Sequence, residues 1–457
     1  MLTEKEDRMF SNTDLRILFI PLIIEQGLEY IVGLADSLMV AQVGESAVSG
    51  VSLVDFVMAL LISLFAALAT GGTVVAGQYL GAKNEVRAKA SANQLMKFSL
   101  WSSLVIMALV YALRPLILDH LFGTIDPAVR SAANQYFMIV VLSVPFLALY
   151  NSGAAVFRTM GNSKLPMKIM LAMNLLNIAG NALLVMGFHM GVAGIAVPTL
   201  VSRAGAAFIV LFMARKEQNV LQIKNFLTAK FHSGLTKQIL RIGLPFSLEN
   251  GMFYLGRLVV LSVVALSGTA AIAANSVSGT LVMFEVLPGT AINLGLSVVI
   301  AQCVGAKDFE QTKYYVKKVF KIIYEGFVIS SAVILALMPL IMRIYNLSPE
   351  ATALTWRIII AHAVMMLLIW PLGYSFPVVF RAAGDAKFPM AVSILSMIFC
   401  RIALSYVFAI GLGMGMLGTW AAMFVDWAAK SVIYTVRYKR GKWAAFAALP
   451  ETKECGV

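Results

Sequence analysis

Three acidic side chains share one face of the first long apolar segment of this 457-residue chain. Glu25, Glu29 and Asp36 lie between Leu15 and Val43, and at about 100° per residue a helix places them within roughly 40° of one another. The segment is longer than the about 20 apolar residues that cross a bilayer. An ionised carboxylate is costly in lipid, so we expect this face to meet protein or water and its acids to be functional.

Neutral oxygen-bearing side chains recur at helical spacing in two later apolar segments. Asn174, Asn177 and Asn181 lie at i, i+3 and i+7, on one helix face, and Thr199 lies in the next segment. With Asp36 they supply one carboxylate and several neutral oxygens, which suits one Na⁺ or a carboxylate that takes up H⁺. The alternative is that the asparagines only join helices by interhelical hydrogen bonds.

The first half of the chain recurs in the second half. Pro21 and Pro245 are 224 residues apart, because 245 − 21 = 224. The same offset relates Glu25 to Glu249, Gly27 to Gly251, Tyr30 to Tyr254, Gln78 to Gln302, Gly81 to Gly305 and Lys83 to Lys307. With an even number of spans per half, the halves are parallel repeats about an axis along the membrane normal.

The candidate cation shell exists in only one of the two copies. At the repeat offset, Asp36, Asn177, Asn181 and Thr199 become Val260, Arg401, Ser405 and Met423. Inherited packing alone does not predict such one-sided divergence. We therefore predict a cation-coupling site around Asp36, and no metal site other than Na⁺ at that position.

Further charged residues within apolar segments are candidates for lining a substrate cleft. They are Glu25, Glu29, Asp55, Glu249, Arg257 and Glu285. Glu25 and Glu249 form a symmetric pair that either binds a cationic substrate or serves structure, each acid bonded within its own bundle. Asp426 and Lys430, one helical turn apart, are predicted to pair with each other or with Arg401.

The composition is that of a polytopic membrane protein. The chain is 60% hydrophobic and 13% charged, against about 45–50% and 25% in soluble domains. Apolar run lengths predict about twelve spans, and the long polar break at 214–238 separates the halves. We predict an all-α membrane protein of two homologous six-helix bundles, with an N-lobe over 1–225 and a C-lobe over 226–457. Such a pair of bundles encloses a cavity, which is a transporter plan.

The net charge of +13 is explained by Lys and Arg retained in cytoplasmic loops, because no long basic run or nucleic-acid motif appears. The loops near 44–49 and 267–270 lack Lys and Arg, whereas 214–238 and 437–440 are rich in them. We expect a monomeric, multi-pass protein of the plasma (inner) membrane with both termini cytoplasmic. No P-loop, nucleophile elbow or HExxH occurs, so we expect neither ATP-driven transport nor an enzyme.

The motifs together resemble those of the MATE (multidrug and toxic compound extrusion) transporters. They are Asp36 with the downstream MVAQVGESAVSGVSL, the QYLGAK motif, and the pair FRTMGNSKLPM and FRAAGDAKFPM. The likeness, from about Leu15 to Lys439, implies a cation/drug antiporter with two lobes around a V-shaped cleft, no cofactor, and small organic, often cationic, substrates. It also implies H⁺ or Na⁺ coupling at Asp36, Asn177, Asn181 and Thr199, and a bend-prone helix at Pro21.

This sequence departs from the family pattern at the coupling residues. Some members have Asp where this chain has Asn181, so the site here has one carboxylate fewer. The seventh-span acid of the NorM-type branch lies about one turn after Glu249, and Trp370 stands in the region of its tenth-span acid. A second cation site in the C-lobe is therefore not expected from the resemblance.

One alternative function within transport stays open. A flippase for a lipid-linked or polyanionic substrate shares the two-bundle plan and is expected to line its cleft with several Arg or Lys. Arg257 and Arg401 are the clear candidates for that role. A membrane-embedded transferase calls for clustered polar catalytic residues at one membrane face, and the sequence has no such cluster.

Overall fold

The computed structural model describes residues 8–118, 126–224, 226–228 and 230–446, and its long elements in these ranges are helices. The first six are α1 Asn12–Ala41, α2 Glu45–Gly81, α3 Glu85–Ala112, α4 Pro127–Thr159, α5 Lys164–Gly187 and α6 Ala193–Ala214. The next six are α7 Ser233–Ala265, α8 Thr269–Glu285 continued by Leu287–Gly305, α9 Phe309–Tyr345, α10 Pro349–Ala382, α11 Lys387–Gly411 and α12 Met416–Lys439.

Eleven helices of the described chain are long and apolar enough to cross a membrane. α12 is not among them, because it carries Asp426, Lys430 and Arg437, but it is the repeat counterpart of α6. The resulting plan of twelve helices in two repeats confirms the predicted fold class. Two of the interruptions within helices coincide with prolines: α8 is broken before Pro288 and α10 before Pro377, since proline removes a backbone donor and clashes with the preceding turn. The π-helical segments Ala182–Gly187 of α5 and Met397–Ala403 of α11 contain no proline.

The chain forms two compact units. Among the described residues, the first unit consists of Asn12–Ala76 and Glu85–Ser247; the second consists of Gly77–Asn84, residues 8–11 and the chain from Leu248 to residue 446. These bounds differ from a single cut after residue 225, because the end of α2 belongs to the second unit and the start of α7 to the first. The division into homologous lobes over 1–225 and 226–457 stays a prediction.

The recurring Gln-x-x-Gly-Ala-Lys motif ends two helices in the same way. Lys83 and Lys307 follow α2 and α8 with left-handed φ angles of 57° and 58°. Within the second unit, a methyl group on Gly81 would lie 1.9 Å from the Gln302 carbonyl oxygen, and one on Gly305 would lie 2.0 Å from that of Gln78. The two helix ends therefore touch through backbone, and only glycine permits this approach.

Candidate functional site

The four residues of the predicted cation site meet inside the first unit, where α1 packs on α5 and α5 packs on α6. Asn181 Nδ2 donates hydrogen bonds to Asp36 Oδ1 at 2.8 Å and to Asn177 Oδ1 at 3.3 Å. Asn177 Nδ2 donates to Thr199 Oγ1 at 3.1 Å, and that hydroxyl donates to the Ile195 carbonyl. One hydrogen-bonded chain thus joins three helices, with the only carboxylate of that chain at its end.

This network combines a partly accessible acid with buried amides. Asp36 is half-buried, whereas Asn174, Asn177, Asn181 and Thr199 are buried. The Asn181 Oδ1 atom is buried without a hydrogen-bond partner, and such an acceptor is costly unless a ligand or a rearrangement satisfies it. Across the described residues no group of three or more His, Cys, Asp or Glu could hold a metal ion, so any cation here would rely on one carboxylate and neutral oxygens.

A second polar group lies in the first unit, and most of it was not predicted from the sequence. Tyr136 donates a hydrogen bond to Asp55 Oδ1 at 3.1 Å. Arg203 Nη1 donates to Ser143 Oγ at 2.8 Å. Arg203 follows Thr199 by one turn of α6, and an arginine inside a membrane-spanning segment is a functional signal in its own right.

Arg203 connects the two polar groups electrostatically. Its guanidinium interacts with Asp55, Asp36 and Glu29, and Asp36 interacts with Asp55. Asp55 and Glu29 are exposed, and Glu29 accepts a hydrogen bond from Gln26. Arg203 is therefore a fixed positive charge among several acids of the first unit.

Two of the predicted cleft acids form equivalent ion pairs, each within its own unit. Glu25 Oε1 lies 2.5 Å from Arg158 Nη2, and Glu25 is only 1% exposed. In the second unit Glu249 Oε2 lies 3.0 Å from Arg381 Nη1, and Ser393 donates to its other oxygen at 2.8 Å. This arrangement favours the structural alternative for both acids, and their contact with substrate stays a prediction.

A third predicted cleft acid, Glu285, is fully buried in the second unit. Its Oε2 atom lies 2.5 Å from His362 Nδ1, and Ser331 donates to its Oε1 atom at 2.9 Å. The pair joins α8 to α10, and Ser331 adds α9. His362 had no predicted partner, because it stands 77 residues from Glu285. Glu285 is therefore buried and paired inside the second unit in this conformation, and its contact with substrate stays a prediction.

The remaining predicted residues occupy separate places. Lys430 Nζ lies 3.0 Å from Asp426 Oδ2, which confirms that predicted pair. Arg257 is exposed and interacts electrostatically with Arg401. Pro21 is buried inside α1, which continues unbroken through it.

Twelve helices, eleven of them long and apolar enough to cross a membrane, form two homologous halves with a polar network inside one of them, and this plan defines a polytopic transporter. The MatE family model matches residues 21–183 and again residues 245–407. The starts of these blocks are 224 residues apart (245 − 21 = 224), so the family unit is the same as the sequence repeat. The chain belongs to the MatE family of transporters.

Individual relatives agree with this membership over nearly the whole chain. The uncharacterized transporter YisQ of Bacillus subtilis (strain 168) is 30% identical over 438 residues, covering 93% of each chain. The probable multidrug resistance protein YoeA of the same organism is 25% identical over 438 residues, covering 92% of each. The crystal structure of a MATE protein in the bent conformation has a TM-score of 0.86 at 19% identity, over 95% of each chain, which shows a shared fold.

Proposed function

We propose that this protein is a cation-coupled antiporter that exports small organic compounds, cationic drugs among them, across the plasma membrane by alternating access. The carrying observation is the chain of hydrogen bonds from Asp36 to Thr199, which has no counterpart at Val260, Arg401, Ser405 and Met423. Similarity to YoeA, described as a probable multidrug resistance protein, supports organic drugs as the substrate class.

Coupling follows from what a bound cation does to this network. Asp36 accepts its hydrogen bond from Asn181 across the α1–α5 contact, so neutralising the carboxylate weakens the bond that holds the two helices together. Pro21 lies about four turns earlier in α1, where a missing backbone hydrogen bond makes bending easier. Bending of α1 then links occupancy of Asp36 to the shape of the substrate site, and the linkage is reciprocal.

In this proposal the coupling ion is H⁺. The Asn181 amide turns its Nδ2 group toward Asp36, whereas a Na⁺ ion would need the amide oxygen as a ligand, because hard cations bind oxygen. A proton needs only the carboxylate. Arg203, within electrostatic range of Asp36, stabilises the ionised carboxylate after the proton has left.

The test is transport in proteoliposomes under separately imposed pH and Na⁺ gradients. The wild type should expel an organic dye when a pH gradient is applied. Asp36→Asn should still reach the membrane and bind the dye, but its gradient-driven rate should fall by about tenfold or more, the scale of a coupling free energy of 1–3 kcal/mol.

Glu350→Gln is the matched control, because Glu350 is an exposed acid in the first turn of α10; its rate should be unchanged. Val260→Asp, at the repeat position of Asp36, should not rescue Asp36→Asn. Gradient-driven export by Asp36→Asn at the wild-type rate would contradict coupling at this site and make Glu249 the next candidate.

A second candidate function is a flippase for a lipid-linked or polyanionic substrate. The observation that favours it is the group of positive charges around Arg401 in the second unit. This function differs from the antiporter in its substrate, which would be a lipid-linked or polyanionic molecule and not a small organic compound.

A further inference from the structure

The second unit carries a positively charged residue where the first unit has its cation shell. Arg401 occupies the repeat position of Asn177, since 401 − 177 = 224, and Val260 that of Asp36. Arg257 precedes Val260 by about one turn of α7. The second repeat has therefore not only lost the residues of the cation site. It also carries two guanidinium groups in the region that corresponds to that site.

Arg401 lies in the membrane-spanning part of α11, and one of its hydrogen-bond donors has no acceptor in the protein. It lies in the π-helical segment Met397–Ala403, a type of distortion that is frequent at functional sites. Its guanidinium carbon is 5.5 Å from the centre of the Phe253 ring, and its Nε atom is buried without a hydrogen-bond partner. An aromatic face thus lies beside a donor that lacks an acceptor.

The charges around Arg401 do not balance. Arg401 interacts electrostatically with Arg257 and with Lys430. Lys430 is bound to Asp426 at 3.0 Å, and Asp426 also binds Ser396. Within the described part of the chain, Arg257 and Arg401 have no carboxylate partner. Unpaired cations in a membrane-spanning region are unfavourable, and an anionic ligand would compensate them.

Two further acids in the helices of the second unit already have partners. Glu249 is bound to Arg381 and Ser393, and Glu285 to His362 and Ser331. A shift of either acid toward Arg401 would leave its present partner unpaired in a buried place, which costs more than an exposed pair contributes. The missing negative charge therefore has to come from outside the protein.

We propose that Arg257 and Arg401 form a binding site for the anionic group of an organic ligand, a carboxylate, phosphate or sulfonate, whose apolar part packs against Phe253. Guanidinium groups bind such oxyanions through paired hydrogen bonds. The inference rests on the proposed function only in taking this ligand to be the transported substrate. It adds amphipathic organic anions and zwitterions to the small organic substrates proposed above.

The experiment measures equilibrium binding without any ion gradient, on the full chain in phosphatidylcholine nanodiscs. Three probes share one aromatic body and differ in charge: naphthylacetate, naphthylethanol and naphthylmethyl-trimethylammonium. The wild type should bind naphthylacetate at least about tenfold more tightly than naphthylethanol, the scale expected for one charge-assisted hydrogen bond. This comparison needs no variant, so a folding defect does not affect it.

Variants then locate the site. Arg401→Gln and Arg257→Gln should each weaken naphthylacetate binding by about tenfold and leave naphthylethanol binding unchanged, and Arg401→Lys should retain part of the preference. Arg357→Gln, at an exposed arginine of α10, is the matched control and should bind like the wild type. Thermal unfolding of each variant checks that it is folded.

The two sources of the anion are separated by lipid composition. If the natural ligand is a lipid head group, replacing half of the phosphatidylcholine by phosphatidylglycerol should displace naphthylacetate; if it is a soluble compound, binding should persist. Equal affinities for the three probes, or an unchanged preference in both glutamine variants, would overturn the anion site. Because the binding experiment applies no ion gradient, that outcome would not contradict the coupling role of Asp36, which the transport experiment tests separately.

Discussion

A single carboxylate, that of Asp36, carries the proposed coupling chemistry, and its neighbours decide which cation it takes. Asn181 offers it a donor at 2.8 Å, and Arg203 offers it a positive charge within electrostatic range. Both interactions stabilise the ionised acid, so a bound cation has to compete with them. A proton competes by forming a covalent bond, whereas Na⁺ has to compete by coordination alone.

Asn181→Asp should therefore shift the coupling toward Na⁺. The substitution replaces the donor that faces Asp36 by a second carboxylate, and two neighbouring acids hold a monovalent cation better than one. In proteoliposomes, the rate driven by a Na⁺ gradient should rise several-fold relative to the rate driven by a pH gradient.

Asn174→Asp is the control for this change, because Asn174 shares the buried face of α5 but has no hydrogen bond to Asp36. It should alter the ion preference much less. An Asn181→Asp protein that ignored Na⁺ would contradict the assigned geometry.

At the scale of elements, buried ion pairs fasten helices within each unit. Glu25 of α1 meets Arg158 at the end of α4, and Glu249 of α7 meets Arg381 near the end of α10. Each arginine lies in a motif that the sequence repeats. The motifs begin at Phe157 and Phe380, which are 223 residues apart (380 − 157 = 223). The acidic partner of the arginine lies 133 residues away in the first unit and 132 in the second.

Arg158→Gln alone should destabilise the protein more than the double variant that removes both charges of the Glu25–Arg158 pair. It leaves the buried Glu25 carboxylate without its cation, a loss of about 3–5 kcal/mol for a broken buried pair. The double variant Glu25→Gln with Arg158→Gln removes both charges and should recover a large part of that loss. Thermal unfolding of the purified proteins measures both effects.

Lys164, an exposed lysine within the same motif, provides the control: Lys164→Gln should unfold like the wild type. If Arg158→Gln had an unchanged unfolding temperature and instead altered substrate affinity, Glu25 and Arg158 would belong to the substrate site.

Local patterns in the sequence were sufficient for the helices and for part of the site. Apolar run length indicated the spans, and the i, i+3, i+7 spacing placed Asn174, Asn177 and Asn181 on one face, where the structure has them buried together. The partners of Arg203, Glu285 and His362 were not predictable in this way, because they lie on helices that are distant in sequence. No helical period relates such residues, so tertiary packing decides their pairing.

At the scale of the whole molecule, the two repeats have diverged in the charged residues near Asp36 and near its counterpart region around Arg401. In the first unit, Glu25, Glu29, Asp36 and Asp55 face two arginines, Arg158 and Arg203. The second unit has Arg257, Arg401 and Lys430 against Asp426. Ancestral symmetry explains the shared helix plan, and the different charges around Asp36 and around Arg401 support the proposals of cation coupling in one repeat and anion binding in the other.

The orientation of the molecule in the membrane follows from its loop charges and can be tested at the two ends of one helix. α7, Ser233–Ala265, begins within the Lys- and Arg-rich stretch 214–238 and is followed by a loop near Gly268 that lacks both. Basic residues are retained on the cytoplasmic side, so the start of α7 and both chain termini should be cytoplasmic. A cysteine at either end of α7 reports this directly.

In a background with Cys303, Cys400 and Cys455 replaced by Ser, a membrane-impermeant maleimide added to intact cells should label Thr269→Cys and not Lys224→Cys. Both positions are exposed, so a difference in labelling reflects the side of the membrane and not burial. After the cells are permeabilised, Lys224→Cys should be labelled as well, which controls for its reactivity. Labelling of Lys224→Cys alone in intact cells would reverse the orientation, because α7 crosses the membrane once between the two positions. That result would place the Lys- and Arg-rich loops outside the cell, and cytoplasmic retention of basic residues would then not explain their distribution.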